Sequence, residues 1–169
     1  GDGQFNYPTG VAVASDGSVY VSDGELNTEE GHRIQMFTLE GVFVTKWGTK
    51  GSGDEQFFGP TGVAVAADGS VYVADAKNDR IQKFTSEGVF VTQWGSYGQG
   101  YGEVHYPSGV AVASDGNVYV VEQHNYRIQK FTSEGLFDGQ LGTEGRRDGQ
   151  FIEPTGVSVA ADGSVYVAD

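Results

Sequence analysis

Three histidines are the side chains in this sequence best suited to metal binding or proton transfer. They are His32, His105 and His124, and they lie in segments with many polar residues and turn-forming glycines. A catalytic zinc ion usually takes three protein ligands, with histidine prominent among them. The three histidines occupy inequivalent places in an internally repeated sequence, so we do not expect them to converge on one zinc ion.

Tyrosines in the same segments offer a second kind of chemistry. Tyr97 and Tyr101 lie in the glycine-rich stretch GSYGQGYGEVHYP, residues 95–107. An exposed tyrosine presents a flat apolar ring and a polar hydroxyl, which suit stacking on a sugar or contact with a protein. The complete set of candidates for a binding face is His32, Asp79, Tyr97, Tyr101, His105, Tyr106, His124 and Tyr126. The competing interpretation is that these side chains pack on their own repeat.

Other catalytic signatures are not found in the sequence. No nucleophile, base and orienting group can be grouped, and no glycine-rich phosphate loop leads from a strand into a helix. We therefore predict no catalytic residues and no cofactor. Calcium is kept as an alternative because the acidic stretch GELNTEE, residues 24–30, supplies oxygen ligands, although its spacing differs from that of known calcium loops.

Charge and composition narrow the classes of partner. The 169 residues include 10 Lys and Arg against 23 Asp and Glu, which gives a net charge of −13. Such a chain repels phosphate backbones and anionic lipids, so we expect no nucleic-acid partner. No apolar run approaches the roughly 20 residues needed to cross a bilayer, so we expect no membrane insertion. With no cysteine there is no disulfide framework, which leaves the cellular compartment open. As part of the hypothesis of a binding module, we expect an extracellular or cell-surface location.

The elements that position these side chains come from a repeat. Prolines at 8, 60, 107 and 154 are separated by 52, 47 and 47 residues. Each complete unit runs through four short apolar segments, such as GVAVA, VYV, RIQKF and FVTQW, with Asp-Gly or Glu-Gly at the turns. Asp and Gly tolerate the backbone of tight hairpins, so we interpret these acidic residues as turn formers. Four strands per period predict the blade of a β-propeller.

The unit GPTGVAVAADGSVYVADAKNDRIQKFTSEGVFVTQWG, residues 59–95, resembles an NHL repeat. Pro-x-Gly-Val, Asp-Gly and Val-Tyr-Val recur in four units, and Arg-Ile-Gln in three. The resemblance implies an all-β propeller of four-stranded antiparallel blades, most often six and closed. It also implies that an acidic residue and the motif arginine tie each loop, which here gives the pairs Asp23 with Arg33, Asp75 with Arg80, and Glu122 with Arg127.

The repeat predicts a single segment over residues 1–169, with units at 8–59, 60–106 and 107–153 and a partial unit at 154–169. It comprises three complete blades and the first two strands of a fourth. An open arc of blades exposes apolar faces at both ends, and such faces are sticky in water. We therefore expect further repeats of a larger propeller, or another copy, to cover them.

The leading hypothesis for function is a non-enzymatic propeller that binds a protein or carbohydrate, or assembles, through the face formed by its inter-blade loops. One alternative is a metal-dependent propeller enzyme of the lyase or lactonase type. The other is a structural component of an extracellular assembly.

Overall fold

The computed structural model describes residues 1–24 and 30–169, and almost all of its regular structure is antiparallel β-sheet. Three sheets of four strands follow one another along the chain, and a two-stranded sheet comes last. These are called the first, second and third blades and the half-blade. The all-β fold of four-stranded antiparallel blades predicted from the sequence is confirmed.

The strands lie close to the segments predicted from the repeat. The first blade comprises β1 (Pro8–Val13), β2 (Val19–Asp23), β3 (Arg33–Phe37) and β4 (Phe43–Trp47), and a short parallel pair follows it, β5 (Thr49–Lys50) with β6 (Gln56–Phe57). The second blade comprises β7 (Pro60–Val65), β8 (Val71–Asp75), β9 (Arg80–Phe84) and β10 (Phe90–Trp94). The third comprises β11 (Pro107–Val112), β12 (Val118–Glu122), β13 (Arg127–Phe131) and β14 (Phe137–Leu141), and the half-blade comprises β15 (Gly156–Val159) and β16 (Val165–Ala168). Single turns of 3-10 helix, Ala76–Asn78 and Gln123–Asn125, follow β8 and β12.

The Asp-Gly turns form as their residue types predict. The Oδ1 atom of Asp68 accepts a hydrogen bond from the N–H of Ser70 at 2.9 Å, and Gly69 has a φ of 85°. This hydrogen bond lowers the pKa of the Asp68 carboxyl. The same bond and the same lowering of the pKa occur at Asp16, Asp115 and Asp162.

Neighbouring blades pack face to face through apolar side chains. The side of a blade that faces the next blade along the chain is called its forward side, and the opposite side its backward side. The core between the first two blades contains Tyr20 and Ile34 from the first and Phe57, Val63, Val71, Val73 and Phe84 from the second. The next core repeats this arrangement with Ala64, Tyr72, Ala74, Ile81, Val104, Val110, Val118, Val120 and Phe131.

The first strands of successive blades come very close together, because glycine stands where they meet. A Cβ atom on Gly10 would lie 2.4 Å from the carbonyl oxygen of Thr61. Hydroxyls also link these strands: Thr9 Oγ1 donates to the Pro60 carbonyl and Thr61 Oγ1 to the Pro107 carbonyl, both at 2.8 Å. The glycine in the first strand therefore lets neighbouring first strands come close together.

Further from the centre, tryptophans close the gap between blades. The Trp47 ring of the first blade lies against Gly88 in the β9–β10 turn, and Trp94 lies in the same way against Gly135. Tyr20 adds a polar link, since its hydroxyl donates to the carbonyl of Ser86 at 3.1 Å. The bulky fourth strand fills the wider part of each interface.

The backward side of the first blade has no blade against it. Val11 is 65% exposed, whereas Val63 and Val110 at the same place in the second and third blades are 6% and 7% exposed. At the other end, Tyr166 of the half-blade is exposed, whereas the equivalent Tyr20 and Tyr72 are buried. The structure thus has uncovered apolar faces at both ends of the arc, as expected for a partial propeller.

Candidate functional site

A carboxylate at the end of each second strand, buried in the three complete blades, holds the loop that enters the same blade. Asp75 Oδ1 accepts a hydrogen bond from the backbone N–H of Phe58 at 2.7 Å, and Glu122 Oε2 accepts one from His105 at 3.0 Å. In the first blade Asp23 accepts from Asn6 and Tyr7, and in the half-blade Asp169 accepts from Ile152 and Glu153, all at 2.8 Å. The loops on this face therefore start from fixed backbone positions.

The motif arginines clamp these carboxylates. The structure brings together all three pairs named from the family resemblance: the Nε atoms of Arg33, Arg80 and Arg127 lie 3.0, 2.8 and 2.8 Å from carboxylate oxygens of Asp23, Asp75 and Glu122. The longer glutamate in the third blade makes the same bond as the aspartates. These arginines serve the scaffold, because each also donates to backbone carbonyls of the preceding loop.

The second blade shows the clamp in detail. Arg80 donates to the carbonyl oxygens of Ser52, Gly53 and Gln56 at 2.8 to 2.9 Å. Burial raises the pKa of the Asp75 carboxyl above its ordinary value, although hydrogen bonds from its neighbours oppose this. A buried carboxylate held in this way depends strongly on its arginine partner.

In the first and second blades, the residue just before the motif arginine joins the blade to the loop of the next. His32, Asp79 and Tyr126 share a left-handed backbone, with φ values of 50°, 51° and 54°. His32 Nδ1 accepts a hydrogen bond from the N–H of Gly59 at 3.1 Å, and Asp79 Oδ1 accepts one from Tyr106 at 2.8 Å. His32 is fully buried, so the prediction that it belongs to an exposed binding face is wrong. In the interior its Nδ1 atom serves as the acceptor for the Gly59 N–H.

Five side chains form a continuous row between the second and third blades, called here the histidine–tyrosine ladder. The Nζ atom of Lys77 lies 5.0 Å from the centroid of the Tyr106 ring, which stacks on His124 at 4.7 Å and 24°. His124 meets His105, with 3.2 Å between His124 Nδ1 and His105 Nε2. The His105 ring in turn lies edge-on to Tyr97, with 4.8 Å between centroids.

Backbone bonds hold the ladder in place. The N–H groups of His105 and Tyr106 are bound by the Glu122 and Asp79 carboxylates. A parallel bridge between Tyr97 and Val104 closes the loop. The ladder thus joins three loops on one face, and it ends at a Tyr97 side chain that is 71% exposed.

Electrostatics within the ladder favour a neutral imidazole at His124. Burial lowers the pKa of His124, the neighbouring His105 and Lys77 lower it further, and Asp79 opposes the change. A neutral imidazole both donates and accepts hydrogen bonds. The ladder therefore combines aromatic surface, neutral nitrogen atoms and a single lysine cation.

Two further candidates stand apart from the ladder. Tyr101 is 74% exposed and stacks on Phe137 of β14, with ring centroids 4.8 Å apart and an angle of 21°. Tyr126 lines a cavity of about 300 Å³ next to Arg127 and Gln140. The structure therefore gathers Asp79, Tyr97, His105, Tyr106 and His124 and leaves His32, Tyr101 and Tyr126 elsewhere.

The sequence reasoning missed the contact of His105 with His124 and the part played by Lys77. The repeat relates the first of these to the preceding unit, because Phe58 and Lys77 hold the places of His105 and His124 there and are also neighbours, with the Lys77 N–H donating to the Phe58 carbonyl at 3.1 Å. Within residues 1–24 and 30–169, no three His, Asp or Glu side chains are grouped to hold a metal ion. The calcium alternative falls on a stretch, 24–30, of which residues 25–29 lie outside the described residues.

Comparison with known proteins shows where these repeats occur. A model of the NHL repeat matches residues 5–37, 57–84 and 105–131. The protein brain tumor of Drosophila melanogaster is 41% identical over 64 residues, which are 38% of this chain and 6% of that protein. Rat peptidylglycine alpha-amidating monooxygenase is 41% identical over 80 residues, which are 44% of this chain and 8% of that protein. The match therefore covers less than a tenth of either relative.

Solved structures share the fold at low sequence identity. A gluconolactonase from Xanthomonas campestris superposes with a TM-score of 0.69 at 18% identity, over 99% of this chain and 55% of that one. A virginiamycin B lyase from Staphylococcus aureus superposes with a TM-score of 0.68 at 18% identity, over 96% of this chain and 48% of that one. At these identities the likeness shows a common propeller fold, and this chain spans about half of each structure.

Proposed function

This chain belongs to the NHL-repeat family of β-propellers, and we propose from that premise that it is a binding or assembly module whose contact surface is the histidine–tyrosine ladder. The observation that carries the proposal is the ladder's construction. The loop that enters the third blade is held by the buried Glu122 carboxylate and the half-buried Asp79 carboxylate, and it carries the exposed Tyr97 ring. Binding residues commonly lie on loops that a rigid scaffold positions.

The chemistry of the ladder supports a protein or a carbohydrate as ligand. Tyrosine rings supply rigid contact area at low entropic cost, and a tyrosine is often central to an interface. The imidazoles of His105 and His124 add hydrogen-bonding groups beside the Tyr97 ring. The net charge of −13 disfavours a nucleic acid. No helix among the described residues is long and apolar enough to cross a membrane.

Assembly is the second part of the proposal. The exposed Val11 on the backward side of the first blade corresponds to Val63 and Val110, which are buried on the backward sides of the second and third blades. We propose that further blades of the same type, or another copy, cover it. An extracellular or cell-surface setting belongs to this proposal as well.

A metal-dependent lyase or lactonase is the alternative function. Catalytic zinc sites generally use three protein ligands. In the part of the chain that the structure describes, His, Asp and Glu side chains do not form such a group of three.

Binding to glycan and peptide arrays tests the proposed contact surface. We expect the wild-type protein to retain a subset of probes, and the Tyr97→Ser variant to bind them at least about tenfold more weakly, since a central aromatic anchor often contributes about 2 kcal/mol. Tyr101→Ser is the matched control, because Tyr101 has similar exposure in the same loop but lies outside the ladder. Equal losses in both variants, or no retained probe, would contradict the proposal.

A further inference from the structure

His105 and His124 share a hydrogen bond whose nitrogen–nitrogen distance is also that of two ligands on one metal ion. The His124 Nδ1 and His105 Nε2 atoms are 3.2 Å apart. Zinc–nitrogen bonds are about 2.0 to 2.1 Å long, so two nitrogens on one tetrahedral ion lie roughly 3.3 Å from each other. We propose that these two imidazoles bind a late first-row divalent ion of the zinc, copper or nickel class.

The ring arrangement fits a shared ion. The centroids of the two imidazoles are 4.7 Å apart and the rings are inclined at 72°. If the two rings met in line, the centroid distance would exceed the nitrogen–nitrogen distance by two ring radii. The observed excess is smaller than that. The two nitrogens therefore meet at an angle and not in line, as two ligands of one ion do.

Both ligands are positioned by groups outside the pair. The His105 backbone is bound to the Glu122 carboxylate, which Arg127 clamps in turn. The His124 ring stacks on Tyr106. Outer contacts of this kind commonly change metal affinity by 10- to 100-fold, because they hold the ligands in one orientation.

The surrounding charges act in both directions. Asp79 lies close enough to act electrostatically on His124 and favours a cation, whereas Lys77 acts on the same ring and opposes one. The remaining charge of the chain is strongly negative. Two imidazole ligands select zinc, copper and nickel over calcium and magnesium, which prefer oxygen ligands.

The described chain supplies two ligands at this place, since no third His, Asp or Glu joins them among residues 1–24 and 30–169. The other coordination positions are therefore filled by water or by a donor atom of a bound partner. Because the ion lies on the His105–His124 pair, the inference does not depend on the ligand proposed for Tyr97.

Zinc titration by calorimetry, at pH 7.5 and after treatment with a chelator, tests the site. Wild-type protein is expected to bind one Zn²⁺ per chain, and His105→Phe and His124→Phe to bind it at least about tenfold more weakly. Phenylalanine keeps a planar ring to stack on Tyr106 and removes the nitrogen ligand. Tyr101→Ser is the control that should bind zinc like wild type, because Tyr101 stacks on Phe137 and lies outside the ladder. Loss of array binding by Tyr97→Ser tests the proposed function separately.

A spectroscopic measurement on the wild-type protein guards against variants that fail to fold. With one equivalent of Cu²⁺, electron paramagnetic resonance should show coupling to two imidazole nitrogens. One saturable Zn²⁺ per chain together with two coupled nitrogens supports the site. Either the lack of saturable zinc binding in the wild type, or unchanged zinc affinity in both folded histidine variants, would overturn it.

Discussion

Replacing Gly88 with alanine should destabilise the protein far more than the same change at Gly41. Gly88 and Gly41 hold equivalent places in the turns between the third and fourth strands of the second and first blades, with φ values of 85° and 79°. A Cβ on Gly88 would lie 2.5 Å from the Trp47 ring of the preceding blade, whereas a Cβ on Gly41 would meet nothing within 4 Å. The pair therefore separates the backbone cost of the substitution from the cost of disturbing the blade interface.

The two costs have known sizes. A left-handed backbone costs a residue with a Cβ atom roughly 1 to 2 kcal/mol. Overpacking an interior costs typically about 1 to 3 kcal/mol more. We therefore expect Gly41→Ala to lower the free energy of unfolding by about 1 to 2 kcal/mol, and Gly88→Ala by about 2 to 5 kcal/mol, in sum of the two effects.

Urea unfolding of the two variants measures this difference, provided that the slope with denaturant stays that of wild type. Repeating Gly88→Ala in a Trp47→Leu background identifies the cause, because leucine stands at the equivalent position 141 of the third blade. The extra loss should largely disappear there, as expected when two residues in contact are coupled. Equal losses in Gly41→Ala and Gly88→Ala, or an extra loss that survives Trp47→Leu, would refute the packing argument.

Three further predictions concern the carboxylates. Asp75→Asn leaves Arg80 buried without its charged partner and should lower the free energy of unfolding by about 3 to 5 kcal/mol. The control Asp138→Asn, in the more exposed pair with Lys130, should lower it by at most about 1 kcal/mol. Urea unfolding measures both. Folding lowers the pKa of the four turn carboxylates, Asp16, Asp68, Asp115 and Asp162. Above the unfolded pKa of about 3.8 these groups therefore stabilise the folded state, and this contribution is lost as the pH falls through the folded pKa. The urea midpoint should therefore fall from about pH 5 to pH 3, and a protein with all four changed to Asn should show a smaller fall, whereas an identical fall would contradict the assignment. Asp79→Ala removes the acceptor for the Tyr106 N–H and should weaken Tyr97-dependent array binding. Asp79→Asn retains an acceptor oxygen and should preserve that binding. Similar losses in both variants would show that the hydrogen bond does not position the ladder.

The strands were predictable because each one is repeated in register. Val-Tyr-Val and Arg-Ile-Gln mark β8 and β9, and their alternation with Asp-Gly and Glu-Gly turns places every main strand close to where the structure has it. The two-residue pair of β5 and β6 was not predicted, because two residues show no period.

The site was less predictable, since it depends on contacts between blades. His32 looks like an exposed loop residue, yet the next blade's Gly59 N–H draws its imidazole into the interior. The pairing of His105 with His124 follows from the position of Glu122. Its carboxylate binds the His105 N–H, and Glu122 itself precedes the helical turn Gln123–Asn125 that contains His124. Spacing along one unit does not reveal this, whereas comparison of equivalent positions in two units does.

The three histidines allow a direct test of the central claim that the ladder is the contact surface. Long-range ¹H–¹⁵N spectra resolve each imidazole, and a probe retained on the arrays can be titrated into the protein. The signals of His105 and His124 should move with the probe concentration, and the signal of the buried His32 should stay in place. Movement of His32 alone, or no movement of His105 and His124 at saturation, would contradict the account.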